Sequence, residues 1–309
     1  HGGIVSSNAV LSLTQITTNS VVYLRSEAGP PWNQSTNEAL MDQVFGAGNW
    51  QDLRYETVDT NVLFTSATRF IYMEGSQNNT LEMGAFLTNN LLALQDWVAA
   101  GGGLFLNAAP NEGGDINLGF GVTLSNSVFT SQAETVLPGH PIFHGPFLPV
   151  GTSWSGGSFG HAAVSGFVLT GLIANSSNGE IVLGERTYGQ GHVFFGGMTT
   201  PNFHTPQPEA ANLRANILAY GAAQAAESVA PQIVMQPQDT SVALGDLASF
   251  SVSVLGTLPF SYQWQKDGLP IPGATNGTVS VLALQNGALY SVAVSNAFGT
   301  TLSSNAVLT

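Results

Sequence analysis

The hexapeptide SSNAVL occurs twice, at Ser6–Leu11 and at Ser303–Leu308, and the match extends to GGIVSSNAVLSL at Gly2–Leu13 against GTTLSSNAVLT at Gly299–Thr309. Ser6 answers to Ser303, an offset of 297 residues. In each copy alternate residues form one apolar face: Val5, Ala9 and Leu11 in the first, Leu302, Ala306 and Leu308 in the second. A period of two marks a half-buried strand. Such a strand cannot stand alone, because its backbone donors and acceptors and its apolar face all require a sheet. The chain must therefore build a sheet around its last dozen residues, and its first dozen ask for another of the same kind.

From APQIVMQPQ onward, short alternating runs (SFSVSVLG, FSYQWQKDG, GTVSVLAL, LYSVAVSNAFG) are separated by Gly, Pro and Asn turns. That spacing predicts an all-β sandwich. The stretches QPQDTSVALGDLASFSVSVLG, PFSYQWQKDGLPIPGAT and ALYSVAVSNAFGTTLSSNAVLT resemble the immunoglobulin-like repeats of bacterial surface proteins over Pro231–Thr309. The resemblance implies that Trp264 is the buried tryptophan of the third strand and that Tyr290 stands at the tyrosine corner. It also places Val252 and Val292 where antibody-type domains carry their disulfide. The chain has no cysteine, so packing alone must hold the two sheets. Gly2–Leu13 then resembles the last strand of another such domain, whose other strands the chain does not supply.

Between these ends the pattern changes to strands alternating with helical segments: SVVYLRS, a helix from STNEALMDQVFGAG, DLRYETVD, RFIYMEG, a long helix TLEMGAFLTNNLLALQDWVAAGG and the strand GLFLNAAP. Ser35 and Glu38 have capping-box spacing, and Gly46 or Gly48 can end the first helix. The succession predicts βαβ units on a parallel sheet. GEIVLGERTYGQGHVFFGGM reads as a hairpin and PEAANLRANILAYGAAQ as a closing helix. Residues 110–166, rich in Gly, Ser and Phe without a clear period, read as an insertion of short strands and loops. The predicted organisation is an orphan strand or linker over 1–14, a three-layer α/β domain over 15–224 and a sandwich over 225–309.

WVAAGGGLFLNAAP, LPGHPIFHGPF and YGQGHVFFGGM followed by a final helix together resemble the trehalose-utilisation family and its relatives, over about Ser20–Ala223. The resemblance implies the class I glutamine-amidotransferase-like, or flavodoxin-like, fold. In enzymatic relatives a Cys on a sharp turn after a central strand is activated by His. This chain has no Cys, and FLNAAP lacks the histidine those relatives tend to carry there.

Ligands of open α/β sheets bind beyond the carboxyl ends of the strands. Here those ends supply Glu27, Glu74, Asn107 and His204, the candidates for general acid-base work or cation binding. Ser76 in MEGSQ lacks the second glycine of a nucleophile elbow. His140 and His144 in HPIFH, with His161 downstream, are the candidate ligands for zinc or another transition metal, although Pro141 argues for a loop rather than the helix that would align them. Asp115 and Glu112 with the carbonyls of NEGGDIN are the candidate calcium ligands. YGQGHVF is a hairpin turn, not a phosphate cradle. Trp154, Phe159 and Phe147, set among glycines, are candidates for stacking on sugar rings.

Composition narrows the function. Six basic residues against nineteen acidic ones give a net charge of −13, which offers no footprint for a phosphate backbone or an anionic membrane. No apolar run reaches the roughly 18 residues of a spanning helix, and the chain opens on His1 without a signal-like segment, as a processed or excerpted sequence does. Charged residues are only 8%, against about a quarter in typical soluble proteins. Abundant Ser, Thr and Asn with a single lysine, Lys266, suit a secreted bacterial surface protein. The sequence reads as a non-catalytic, cofactor-free unit of an extracellular array or filament, joined head to tail through residues 4–13 or through covalent repeats. A secreted hydrolase or carbohydrate-active protein with an immunoglobulin-like accessory module, and an adhesin binding polysaccharide, are the alternatives.

Overall fold

The computed structural model describes residues 20–225, 230–256, 260–296 and 299–309. The expected strand at Ile4–Leu13 lies outside the described residues. The chain divides into two compact units between Ala226 and Glu227.

The first unit runs β1 (Val21–Arg25), α1 (Thr36–Phe45), β2 (Gln51–Arg54), α2 (Thr60–Leu63), β3 (Phe70–Glu74), α3 (Thr80–Ala99), β4 (Gly103–Asn107), β5 (Ile116–Gly119), β6 (Val122–Thr135), β7 (Ser153–Ser165), β8 (Thr170–Asn175), β9 (Ile181–Tyr188), β10 (Gly191–Gly196) and α4 (Glu209–Ala223). Strands β2-β1-β3-β4-β10 lie in that order with every contact parallel. The sheet continues antiparallel through β9, β8, β6 and β5, and β7 pairs with β6.

Successive strand side chains face opposite ways, and both faces of the parallel part are covered. Val21, Tyr23, Phe70, Tyr72, Phe105 and Phe194 belong to one core with Leu40, Met41 and Val44 of α1 and Leu213 and Ile217 of α4. Val22, Leu24, Ile71, Met73, Leu104, Leu106, Val193 and Phe195 belong to the other with Met83, Phe86, Leu94 and Trp97 of α3. Burial on both faces is why VVYLR, FIYME and GLFLN are nearly continuous apolar runs.

Two expectations for this unit are corrected. Ser35 makes no capping bond: its ψ of 26° is not the extended value an N-cap needs, and Glu38 lies 3.6 Å from Arg25 instead. Gly46 does end α1, at φ 85° with its N–H on Asp42 O. Residues 110–166 hold one short strand, β5, and two long ones, β6 of 14 residues and β7 of 13. Their register shifts between Asn126 and Thr130 and again before Gln132, and these irregularities, with the glycines of SWSGGSFG, erase the alternation. A Cβ on Gly156 would stand 2.3 Å from the Phe203 carbonyl oxygen, so the chain needs glycine there for packing and not for a turn.

The second unit runs β11 (Gln232–Met235), β12 (Leu247–Ser251), β13 (Ser253–Leu255), β14 (Ser261–Lys266), β15 (Leu269–Pro270), β16 (Thr278–Leu282), β17 (Ala288–Asn296), β18 (Gly299–Leu302) and β19 (Ala306–Leu308). One sheet is β15-β14-β17, with β18 and β19 both on β17; β12 pairs with β16, and β11 with β13. Their inward residues meet in one core: Ala248, Phe250 and Val279 with Trp264, Tyr290, Val292, Val294, Ala306 and Leu308. Trp264 is fully buried, faces Val292 in register and donates its Nε1–H to Asn276 O at 2.9 Å. Tyr290 stacks on Phe250 at 4.7 Å. Val252 is only half-buried, in the break between β12 and β13.

The second hexapeptide copy forms the final strand but not in one alternation. Ala306 and Leu308 are buried, whereas Leu302 is turned out. Ser303 causes the change of phase: its N–H donates to Val292 O and its Oγ accepts from Val292 N–H, both at 2.9 Å, so a side chain replaces one rung of the ladder between β18 and β19.

Trp264→Ala should lower the unfolding free energy of this unit by about 3–5 kcal/mol, as for large aromatic truncations in cores. Denaturant titration followed by circular dichroism measures it. An unmoved midpoint would contradict the packing described.

Candidate functional site

The carboxyl ends of β1, β3, β4 and β10 bring three of the four predicted site residues into one buried polar region. Glu74, Asn107 and His204 are all buried, whereas Glu27 is exposed. At the β1 end it is Glu56 that acts on the chain, accepting from Ser26 Oγ at 2.6 Å and from Glu27 N–H at 3.1 Å.

Glu74 ends β3 with both oxygens engaged. Oε1 accepts from Ser76 N–H at 2.7 Å, and Oε2 accepts from the Asn37 amide at 2.7 Å and the Tyr72 hydroxyl at 2.8 Å. Tyr72 has one proton to give and gives it to Glu74, so it accepts from Arg214 Nη1, at 2.6 Å. Burial raises the Glu74 carboxyl above its ordinary value, opposed by Ser76, Arg214 and Tyr72. Arg214, itself buried, donates Nη2–H to Thr199 O at 2.9 Å. A buried carboxyl and a buried guanidinium are thus coupled through one phenol.

His204 continues the chain of contacts without reaching Glu74. Its Nε2 lies 2.8 Å from Thr199 Oγ1, whose hydroxyl donates to Ser158 O at 2.6 Å. The ring lies on Phe159 at 4.3 Å. Burial first, and Arg214 second, lower this histidine to about 3, so it is neutral at physiological pH. Asn107 pairs with the backbone of Met198, donating to its O at 2.9 Å and accepting from its N–H at 3.2 Å. Ser76 Oγ accepts from Ala109 N–H at 3.0 Å. Each of these side chains joins one strand end to its neighbour.

The structure separates the histidines proposed as metal ligands. His140 Nε2 lies 3.1 Å from Glu185 Oε1, His144 Nε2 lies 2.9 Å from Pro138 O, and His161 is packed among aromatic rings. His192, which the sequence reading overlooked, holds the other oxygen of Glu185 at 2.8 Å. Burial alone would raise Glu185, but the bonds from His140 and His192 take it down to about 2. The loop proposed for calcium is held by its own hydrogen bonds. Asp115 accepts from Asn126 N–H at 2.9 Å, and the Glu112 and Gly113 carbonyls accept from the Asn126 amide at 3.1 and 2.9 Å. The loop closes on an asparagine. Beside it Thr80, Leu81, Gly84 and Asn117 line a depression of about 340 Å³.

The aromatics proposed for sugar stacking are corrected in the same way. Trp154 and Phe159 are buried and stack at 6.3 Å, and Phe147 packs against the same core. A different set reaches the surface. Trp32 is edge-on to His161 at 5.6 Å and to Phe203 at 5.4 Å, and Phe129 is edge-on to His161 at 5.1 Å. Phe129 is 63% exposed and Phe203 39%. Trp32, Asn33 and Gln77 near this cluster have φ of 52°, 54° and 52°, left-handed values that asparagine tolerates but that are costly for tryptophan and glutamine; the Gln77 side-chain oxygen accepts from Trp32 N–H and holds the turn.

No family model matches the chain, and no curated protein does. Among solved structures it is similar to a titin structure in a trigonal form, 19% identical over 27% of this chain and 97% of that one with a TM-score of 0.25. It is similar to an I-band fragment of titin, 27% identical over 26% and 31% with a TM-score of 0.23. It is also similar to tandem immunoglobulin repeats of Dlar, 28% identical over 26% and 48% with a TM-score of 0.23. The second unit is an immunoglobulin-like sandwich by its own strand pairing and its tryptophan core. Among the described residues no helix is long and apolar enough to cross a membrane.

Two variants test the buried network. Glu74→Gln places an amide NH₂ against a group that must itself donate, and should cost about 1–3 kcal/mol in thermal denaturation. His204 binds a proton when unfolded at pH below 6.5 but not in the fold until about 3. Stability is therefore lost as pH falls from 6.5 towards 3, at up to about 1.4 kcal/mol per pH unit. In denaturant titrations across that window His204→Gln should flatten the wild-type slope.

Proposed function

We propose that this chain is a structural unit of an extracellular repeat array, in which α/β units of the flavodoxin-like, amidotransferase-like kind alternate with immunoglobulin-like sandwiches. The observation that carries the reading is the final strand. Ser303–Leu308 completes the second unit on β17, with Ala306 and Leu308 in its core. The same hexapeptide precedes the α/β unit at Ser6–Leu11, offset by 297 residues, which supports an order of sandwich, α/β unit, sandwich. The second unit already possesses its last strand. Covalent repetition therefore suits the pattern better than strand exchange between copies, which would have to displace β18 and β19.

The polar residues at the strand ends support the same reading. Glu74, Asn107 and His204 hold neighbouring elements together, each through bonds to the side chains or backbone of those elements. A surface poor in charge, with Ser, Thr and Asn in its place, suits a secreted polymer.

Native material should be a polymer or a tandem polypeptide with a repeat near the 32.2 kDa of this chain, visible in sedimentation and negative-stain microscopy. A compact monomer whose hydrolytic activity vanished in Glu74→Ala would overturn the proposal and promote the secreted-hydrolase reading.

One observation favours a second reading, glycan adhesion. Trp32, Phe129 and Phe203 meet around and beside His161 and present aromatic surface, a chemistry suited to the apolar faces of sugars. Pull-down on insoluble neutral polysaccharides should show at least tenfold weaker retention of Trp32→Ala combined with Phe129→Ala. Equal retention would remove this reading.

A further inference from the structure

The outer face of the β12–β16 pair is divided between two chemistries. Over most of its length it is hydroxylic, with Ser249 Oγ and Ser280 Oγ 2.8 Å apart. At one end it is leucine. Leu247 and Leu282 are register partners and both point away from the core, as the burial of Ala248 and the exposure of the two leucines show. Leu284 follows two residues after Leu282, and Leu244 precedes Leu247 across the turn closed by Asp246 N–H on Ala243 O. The four are 77% (Leu244), 67% (Leu247), 54% (Leu282) and 72% (Leu284) exposed. Scattered exposed leucines need no explanation, but a contiguous group on a sheet otherwise faced with serine marks an interaction surface.

The position of this group selects its partner. Gly287 N–H donates to Leu308 O, Val242 N–H donates to Thr309 O, and Thr309 N–H donates to Thr240 O. Leu284 is three residues from Gly287, and Leu244 two from Val242. The leucine end is therefore the end at which the final strand finishes. In the 297-residue pattern Thr309 answers to Ser12, which is followed by residues 13–20 and then β1 at Val21. Eight residues span at most about 30 Å, so a following α/β unit would begin within about that distance of Thr309, at the end of the sandwich where the leucines lie.

We propose that Leu244, Leu247, Leu282 and Leu284 form the docking face on which the α/β unit of the next copy of this chain sits. This rests on the array reading and adds its joint: a hydrophobic contact at the end of each sandwich that limits bending between units. Asp246 stands at the rim, and the hydroxylic remainder of the face stays in water.

The cysteine-free sequence makes the test direct, because Leu284→Cys introduces a unique thiol. It is placed in the single chain and in the first copy of a tandem polypeptide in which Thr309 runs into residues 13–309 of a second copy. Maleimide alkylation should be at least tenfold slower in the tandem, while a thiol at Ser280→Cys reacts equally in both. Adding Leu247→Ser and Leu282→Ser should restore the single-chain rate. Equal rates at Leu284→Cys would overturn the docking face, and a polymeric native protein would then leave the array reading standing. Protection in the tandem, in a protein whose native material is monomeric, would support the face and overturn the array instead.

Discussion

A buried arginine governs the first unit. Arg214 sits in the middle of α4, on the face that packs against the sheet, and its guanidinium cannot give up its charge. Helix α4 docks on the sheet only if that charge finds partners there. Tyr72 and the carbonyl of Thr199 provide them, and Glu74 provides the counter-charge through the Tyr72 hydroxyl. The positions of β3, of the segment after β10 and of α1, through Asn37, all follow from the directions of these bonds. Replacing such a pair by apolar groups can be neutral, whereas removing one member strands the other in a dry interior. The polar strand ends are therefore interdependent: Glu74 serves Arg214, Thr199 serves both Arg214 and His204, and Asn107 fixes the backbone that carries Thr199.

The sequence showed some of this and concealed the rest for identifiable reasons. The strands ending at Glu74 and Asn107, the helix Thr80–Ala99 and the hairpin turning at Gly189 were legible because apolar runs, helical periodicity and glycine punctuation agreed there. Strands β6 and β7 were not, because bulges and glycines disrupt the period on which a strand is recognised. Glu74, Asn107 and His204 were legible as strand-end residues, but their partners lie far away in sequence: Tyr72 from Arg214 by 142 positions and Asn107 from Met198 by 91. One signal for Arg214 was present, an arginine four residues before Leu218 in the apolar stripe of ANLRANILAY. His192 had no comparable signal, since only the register of β9 against β10 sets it beside Glu185.

The histidines show how spacing misleads when the backbone is irregular. His140 and His144 are four apart, as on a helix, yet Pro141 starts a single short turn between them, and the two rings serve unrelated partners. The aromatics make the same point. Trp154 and Phe159 looked available because glycines surround them, but those glycines allow close approach of other chain segments, and the rings are covered. Phe129 reaches the surface because β6 is irregular just before it, with Ser127 at φ 61°.

The second unit solves a different problem. A small sandwich without a disulfide must hold its sheets by packing, and Trp264, Phe250 and Tyr290 form a continuous aromatic contact across them, 6.4 Å from Phe250 to Trp264 and 4.7 Å from Phe250 to Tyr290. The last strand adds Ala306 and Leu308 to that core, and Ser303 allows it to change phase without leaving a backbone group unpaired. A segment of the same sequence brings the same demands wherever it stands: two small apolar residues that need a core, and a serine that needs a neighbouring backbone rung. In this sandwich β17 meets them: Ala306 and Leu308 are buried, and Val292 supplies the rung to Ser303.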